Sequence, residues 1–372
     1  MKLANNSVPT QILISIIFIF LIHTAAAGAS RRQWRTPIFI FGDSFFDAGN
    51  NNYINTTNLD RANFYPYGET YFNFPTGRFS DGRLITDFIA EFANLPLIPP
   101  FLQPGNHSYG GDGVNFASSG AGALVETFQG AVIDLQKQLS NFMKVKEWLT
   151  NRLGEDESKK KLSSVVYLFS IGTNDYNSLF LTNSTALASF SHQEYVRMVI
   201  GNLSGVVKAI HENGGRKFGF LNLGDLGCFP MMRLLKPQMG GRCLAEVSFL
   251  ATLHNHALRR SLSKMEDQLK GFKYSLYDFN SALKLRMNSP SQFGLKEGKT
   301  ACCGTGGFRG IFSCGGKRQV KEYELCENPD KYVFWDSIHL TEETYKQMAA
   351  EMWRGFPHNL GSYNLNNLIN CQ

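Results

Sequence analysis

Residues 38–47 read Ile38-Phe39-Ile40-Phe41-Gly42-Asp43-Ser44-Phe45-Phe46-Asp47. An unbroken apolar run of β-branched and aromatic residues, stopped by glycine, predicts a buried strand over Ile38–Phe41. The strand hands over to a tight turn that carries a hydroxyl and then two phenylalanines. Taken alone, Gly42-Asp43-Ser44 is a common turn tripeptide. It becomes a candidate site only if the rest of the chain supplies what a serine at a strand end lacks.

Working outward, further short apolar runs recur at Val114–Ala117, Val165–Ser170, Phe218–Asn222 and Tyr274–Asp278. Helical periodicity fills Leu84–Phe92, Val132–Leu153, Tyr195–Glu212 and Ala245–Leu269 between them. Strands alternating with helices predict a mostly parallel sheet covered on both faces, with any site at the carboxyl ends of the strands. No internal repeat, low-complexity tract or Pro-rich linker interrupts the pattern. The reading is one domain over residues 28–372 with a short C-terminal tail.

The 372 residues begin with a targeting segment. Lys2 gives a positive start, Ile12–Ile22 is apolar apart from Ser15, and Thr24-Ala25-Ala26-Ala27-Gly28 offers small residues for cleavage after Ala27. That apolar stretch is too short to span a bilayer. Residues 1–27 are therefore read as a cleaved signal peptide and the mature chain as secreted, to the apoplast or cell wall, with the vacuole as an alternative. No later stretch is apolar enough to span a membrane. Seven cysteines (228, 243, 302, 303, 314, 326 and 371) agree with an oxidising compartment. Cys228 with Cys243 makes a plausible short loop, Cys302, Cys303, Cys314 and Cys326 could form two more bridges, and Cys371 is left over. Sequons stand at Asn55, Asn106, Asn183 and Asn202.

The net charge of +6 is spread out; the triplet Lys159-Lys160-Lys161 sits beside Glu155-Asp156-Glu157 and reads as a solvated helix end or loop. Nucleic acid is not an expected partner. The cysteine spacing fits no zinc motif, and His254 and His256, two apart in a helical stretch, are read as surface residues rather than joint ligands. No G-x-S-x-G occurs, which disfavours the usual nucleophile elbow. Ser158-x-x-Lys161 and Ser261-x-x-Lys264 lie on charged or helical surface and lack partner motifs.

The strand ends carry polar and glycine-rich groups: Gly42-Asp43-Ser44, then Ser118-Ser119-Gly120-Ala121-Gly122, then Gly172-Thr173-Asn174-Asp175. Far downstream, Tyr332–Trp335, read as a further strand, leads into Asp336-Ser337-Ile338-His339 and a helix capped at Thr341. Acyl transfer needs a base to take the serine proton, a carboxylate to orient that base, and donors for the developing oxyanion. His339 and Asp336 can supply the first two, and the Ser44 N–H, the Gly120 N–H and the Asn174 amide the third. Each piece has a plainer reading: a turn, close packing at Gly120, a helix cap or Asx-turn at Asn174, a core or surface histidine at His339. Their order along the chain is what favours a site. Asp43, Asp47 and Asp175 are read as supports that pin the loops.

With those blocks in view, the chain resembles the plant GDSL esterases/lipases of the SGNH-hydrolase superfamily from about Pro37 to Arg354. The motifs are FGDSFFDAGNN, GVNFASSGAG, SIGTNDY and FWDSIHLTEETY, supported by NFPTGRFSDGRLITDFIA, GRKFGFLNLGDLGC and Ala301-Cys302-Cys303-Gly304. The resemblance implies a three-layer α/β/α sandwich with a flavodoxin-like parallel sheet. It implies Ser44 as nucleophile, His339 as base, Asp336 as its orienting carboxylate, and Ser44, Gly120 and Asn174 as the oxyanion donors. It implies no metal and no organic cofactor, a small-molecule or lipid ester as substrate, and a monomer. Some members pass the acyl group to an alcohol, so an acyltransferase using the same residues is the alternative. The chain departs from the family at Phe45-Phe46, where Leu-Ser or Leu-Thr is common, at Ser119, where a second glycine is frequent, and at Leu340, where proline is common. Phe45 and Phe46, beside the nucleophile, are the first expected lining of a substrate pocket.

Overall fold

The computed structural model describes residues 35–371, apart from 106–108, 110, 183, 236–237, 239 and 357. The signal-peptide reading and the sequons at Asn106 and Asn183 fall outside the described residues.

Five parallel strands form the central sheet: β1 (Ile38–Gly42), β2 (Gly113–Asn115), β3 (Val166–Ser170), β4 (Lys217–Leu221) and β5 (Lys273–Tyr277). Their order is β2-β1-β3-β4-β5, the doubly wound order of flavodoxin-like folds. The five apolar runs predicted the strands to within a residue or two at each start. In this order the chain reverses direction of winding at β1, so a crevice opens beyond the ends of β1 and β3.

The pleat sorts side chains by face. Phe41 stacks on Phe169, with ring centroids 4.9 Å apart, and Phe169 on Phe220 at 5.3 Å. Tyr167 stacks on Phe218 in the same way, and Phe218 on Phe272. These aromatic rows meet Phe142 of helix α1 (Leu135–Leu153). That layer continues through α2 (Glu155–Ser164), α3 (His192–Glu212) and α4 (Ala245–Gln268). The alternate residues point the other way. Gly219 leaves room for Leu168, Leu365 and Met352; a Cβ there would stand 2.6 Å from the Leu168 side chain. The opposite layer thus holds α5 (Glu342–Arg354) and α6 (Leu365–Asn370), with the earlier helix Ile85–Phe92 packed against α5. Much of the chain's phenylalanine is core, as the stacked rows show.

Some expectations are corrected. Of the two readings of Lys159-Lys160-Lys161 the helix end holds and the loop does not: Lys161 stands in the last turn of α2, whose first turn holds Glu155, Asp156 and Glu157. The acids complement the helix dipole, and Lys159 Nζ lies 3.3 Å from Glu155 Oε1. Val132–Asp134 does not join α1, which is capped by Asp134 accepting from the Lys137 N–H. Residues 365–370, expected as tail, form a helix whose Leu365, Leu368 and Ile369 are buried. Tyr332–Trp335 is not a strand: isolated bridges pair Tyr332 with Glu297 and Phe334 with Leu340. Its backbone bonds in turn to Glu297, Cys302, Cys303, His339 and Thr341, so no single neighbouring strand runs alongside it. Among the described residues no helix is long and apolar enough to cross a membrane.

Candidate active site

At the end of β1 the backbone must pass close to β3. Gly42 has φ +155°, and a Cβ there would stand 2.4 Å from the Ser170 carbonyl oxygen. The buried Gln138 of α1 fixes the same residue, accepting the Gly42 N–H at 2.9 Å and donating to its carbonyl at 2.8 Å. The turn then closes on Asp43. Its carbonyl accepts the Phe46 and Asp47 N–H groups, and its carboxylate accepts the Phe45 N–H at 3.0 Å. Ser44 rides at the apex, 6 % exposed.

The histidine arrives from a different kind of structure. Asp336 Oδ1 accepts the Ile338 and His339 N–H groups at 2.9 and 2.8 Å, so the carboxylate folds its own loop around itself. Both carboxylate oxygens lie 2.9 Å from His339 Nδ1, and His339 Nε2 lies 2.8 Å from Ser44 Oγ. Asp336 and His339 are 0 % and 2 % exposed. Burial alone would raise the Asp336 carboxyl, but the charge and hydrogen bond of His339, with Arg318 further off, outweigh it and hold it at about 2. Asp336 is therefore ionised, and the proton between it and the ring belongs on Nδ1. That tautomer leaves Nε2 free to accept from the serine hydroxyl.

The neighbouring loops are tied to the same turn. Asp47 accepts the Gly49 and Asn50 N–H groups on one oxygen and the Ser119 N–H, at 2.9 Å, on the other. The Ser118 N–H donates to the Gly42 carbonyl at 3.0 Å, so the segment 118–121 is held beside Ser44. Asp175, the third residue of helix Thr173–Leu181, accepts the Ala123 and Leu124 N–H groups and the Thr127 hydroxyl. Asn174 donates its amide to the Ala121 carbonyl at 3.0 Å, which sets it next to Gly120. Among the described residues, no acceptor faces the N–H of Ser44 or of Gly120.

The three supporting aspartates differ electrostatically from Asp336. Burial pushes Asp43 up to about 8 despite the Phe45 N–H, and the charges of Asp175 and Asp47 add to the push. Burial likewise lifts Asp47 and Asp175 to about 6, against several N–H donors each. Asp43 Oδ2 has no partner among the described residues, so a proton there lowers the cost of its burial.

Phe45 and Phe46 follow Ser44 in the turn. They are 3 % and 0 % exposed, and Phe45 packs against the His339 ring (centroids 5.6 Å) as well as Phe229, Phe279 and Tyr345. Phe45 thus touches the His339 ring, and Phe46 lies in the main core. His254, expected on the surface, is corrected. It is fully buried, with Nδ1 2.9 Å from the Tyr176 hydroxyl and its ring against Gly172, the residue that caps the Asn174 helix. Burial drives it down to about 3, so it is neutral. His256 is exposed, as expected.

Sequence reasoning missed Tyr67. Its hydroxyl donates to Asp336 Oδ2 at 2.7 Å, and burial keeps the phenol protonated. Behind it the buried Arg318 stacks on Phe312, 3.7 Å from the ring centre, and lies over Phe64 and Tyr67. Neither residue sits in a periodic element; the only available signal was the aromatic density of Phe64-Tyr65-Pro66-Tyr67. A surface cavity of about 400 Å3 lined by Arg286, Phe293, Gln347 and Glu351 contains none of these groups. No cluster of His, Cys, Asp or Glu among the described residues could hold a metal ion.

Disulfides join Cys228–Cys243, Cys302–Cys326 and Cys303–Cys314, leaving Cys371 as a free thiol. The last two, with Ala62, Tyr67, Phe79 and Trp335, form a second small core directly under the histidine loop.

The sequence model described as GDSL-like Lipase/Acylhydrolase matches residues 38–352. The chain is 58% identical to GDSL esterase/lipase 5 of Arabidopsis thaliana, covering 96% of this chain and 94% of that one. It is 51% identical to GDSL esterase/lipase 1 of the same plant, over 90% of each chain. It is 43% identical to a GDSL lipase of Tanacetum cinerariifolium, over 99% of this chain and 96% of that one.

Proposed function

The chain belongs to the GDSL-like lipase/acylhydrolase family and is a carboxylic ester hydrolase, and from that premise we propose that it works as a secreted serine esterase through Ser44, His339 and Asp336. The observation that carries the reading is the unbroken line of short contacts from Asp336 through the His339 ring to Ser44 Oγ.

In this mechanism His339 Nε2 takes the Ser44 proton as Oγ attacks the ester carbonyl. Asp336 holds the ring and balances the imidazolium charge. The carbonyl oxygen, turning negative, is met by the Ser44 and Gly120 N–H groups and by the second proton of the Asn174 amide, whose first is held by Ala121. His339 then protonates the leaving alcohol, and water repeats the sequence to free the acid and restore Ser44. Tyr67 acts through Asp336: its hydrogen bond fixes the carboxylate that fixes the ring.

Secretion is supported by the apolar N-terminal segment and by the disulfides. Of the described sequons, Asn55 is exposed in a loop and is the better glycan acceptor. Asn202 lies within α3, its amide bound to the Met198 carbonyl.

A fluorophosphonate probe tests the assignment. The purified chain is expected to carry the label on Ser44 and to lose hydrolysis of p-nitrophenyl butyrate on labelling, while Ser44→Ala retains its melting temperature, takes no label and is inactive. Undiminished hydrolysis by a folded Ser44→Ala would overturn it.

A further inference from the structure

The oxyanion site proposed above has an unexpected neighbour. Gly120 has φ +80°, and a Cβ at that position would stand 2.6 Å from Asp60 Oδ1 on one side and 2.7 Å from Val132 Cγ1 on the other. A carboxylate thus lies against the α-carbon of a residue whose N–H is assigned to receive negative charge.

Nothing about this placement is loose. Asp60 ends the 3-10 turn Asn58–Asp60, and Thr57 caps that turn by accepting the Leu59 N–H at 3.2 Å. The Asn51 amide bridges the Asp60 carbonyl at 2.8 Å and the Ser119 carbonyl at 2.9 Å, which locks the turn to the glycine loop. The Asn58 amide donates to the Lys317 carbonyl on the far side. The Thr56 and Thr57 hydroxyls both donate to Asp60 Oδ2, at 3.3 and 3.2 Å. Oδ1, the oxygen facing Gly120, receives no hydrogen bond from any described residue. Burial raises the Asp60 carboxyl above its ordinary value, and the Thr57 and Thr56 hydroxyls and the Arg318 charge offset this only in part.

A turn support would not need a charge. The Asp60 backbone and Oδ2 already serve the turn, and an asparagine could serve it equally. A negative charge beside a forming oxyanion opposes acyl transfer for a plain ester. The charge helps only when the bound molecule brings something for it to accept.

Resting on the Ser44 and Gly120 assignment, we propose that Asp60 is a specificity-determining residue, whose Oδ1 accepts a hydroxyl or ammonium group carried by the ester next to its carbonyl. It favours esters bearing a hydrogen-bond donor or a cation there and rejects anionic ones. The group can belong to the acyl or the alcohol part, because both flank the carbonyl.

The test uses the full secreted chain, wild type and Asp60→Asn, with Asp60→Ser as a second variant. On the acyl side the p-nitrophenyl esters of butyrate, 3-hydroxypropanoate and β-alanine are compared. On the alcohol side butyrylthiocholine is compared with its uncharged counterpart, 3,3-dimethylbutyl thiobutyrate. Losing the charged hydrogen bond, or for the choline ester the charge attraction alone, should lower kcat/KM for the donor or cationic member of the responding pair roughly tenfold or more relative to its apolar partner, chiefly through KM. The apolar butyrate ester should be hydrolysed as fast or faster, since the opposing charge is gone. The pair that responds identifies the side. Ratios that change less than twofold in both pairs, with Ser44 still labelled by fluorophosphonate in every variant, overturn the role of Asp60 alone. Failure of the wild-type Ser44 to label overturns the Ser44 assignment and this proposal with it.

Discussion

The two halves of the site hold buried carboxylates in opposite ways. At the sheet ends, Asp43 is pushed up to about 8 and Asp47 and Asp175 to about 6, because burial outweighs the N–H groups they accept. In the loop packed against the disulfide-bonded segment, Asp336 is held at about 2, because a histidine ring, backbone N–H groups and a distant arginine outweigh equal burial. The first half is built by regular register between β1 and β3. The second is built by two disulfides, isolated bridges and a small aromatic core. The difference teaches that strand register alone can hold the Ser44 turn, whereas the loop with an ionised carboxylate is braced by an adjoining disulfide-bonded core and balanced by hydrogen bonds.

The largest expected effect breaks the sheet-end half. Asn174→Ala removes one of the proposed oxyanion donors and should lower kcat about a hundredfold to a thousandfold with little change in KM. Steady-state kinetics on p-nitrophenyl butyrate check it; a change under threefold would show that the Ala121 contact is the amide's whole role.

The next breaks the stapled half. Cys302–Cys326 closes a separation of 24 residues, and the paired change to Ser should cost about 3 kcal/mol. Denaturant titration of that variant should show hydrolysis lost before the far-ultraviolet signal of the sheet. Loss of both signals together would mean that the halves unfold as one.

The smallest effect sharpens the electrostatic contrast. Asp43, Asp47 and Asp175 keep protons in the fold that the unfolded chain gives up above about pH 4, so they make stability fall as pH rises from about 4 to 8. Asp336, with its folded value depressed, adds stability above about pH 4 that is lost as pH falls toward 2. Melting temperature should therefore peak in mildly acidic solution. Asp43→Asn should flatten the decline toward pH 8 and leave the acid side unchanged. An alkaline limb identical to wild type would refute the assignment of Asp43.

Much of this was legible beforehand. Ile38–Phe41 marked its strand because a strand buried on both faces reads as a near-continuous apolar run, and the later runs stayed legible despite buried polar residues such as Asn115 and Ser275. The spacing of Asp336 and His339 announced a shared unit, since three residues in one loop let a carboxylate reach both its own backbone and the ring. Tyr332–Trp335 misled because an apolar run flanked by disulfide-bonded loops looks like any other strand.

The sequence by itself determined the alternation of strands and helices, the family and the order of the site's parts, because these depend on local pattern and short motifs. Only the tertiary structure decided that Tyr67 meets Asp336, that His254 is buried under Gly172, and that Asp60 stands against Gly120. Those contacts join residues tens to hundreds of positions apart. Side chains that far apart leave no periodicity to read, and only the packing of the folded chain brings them together.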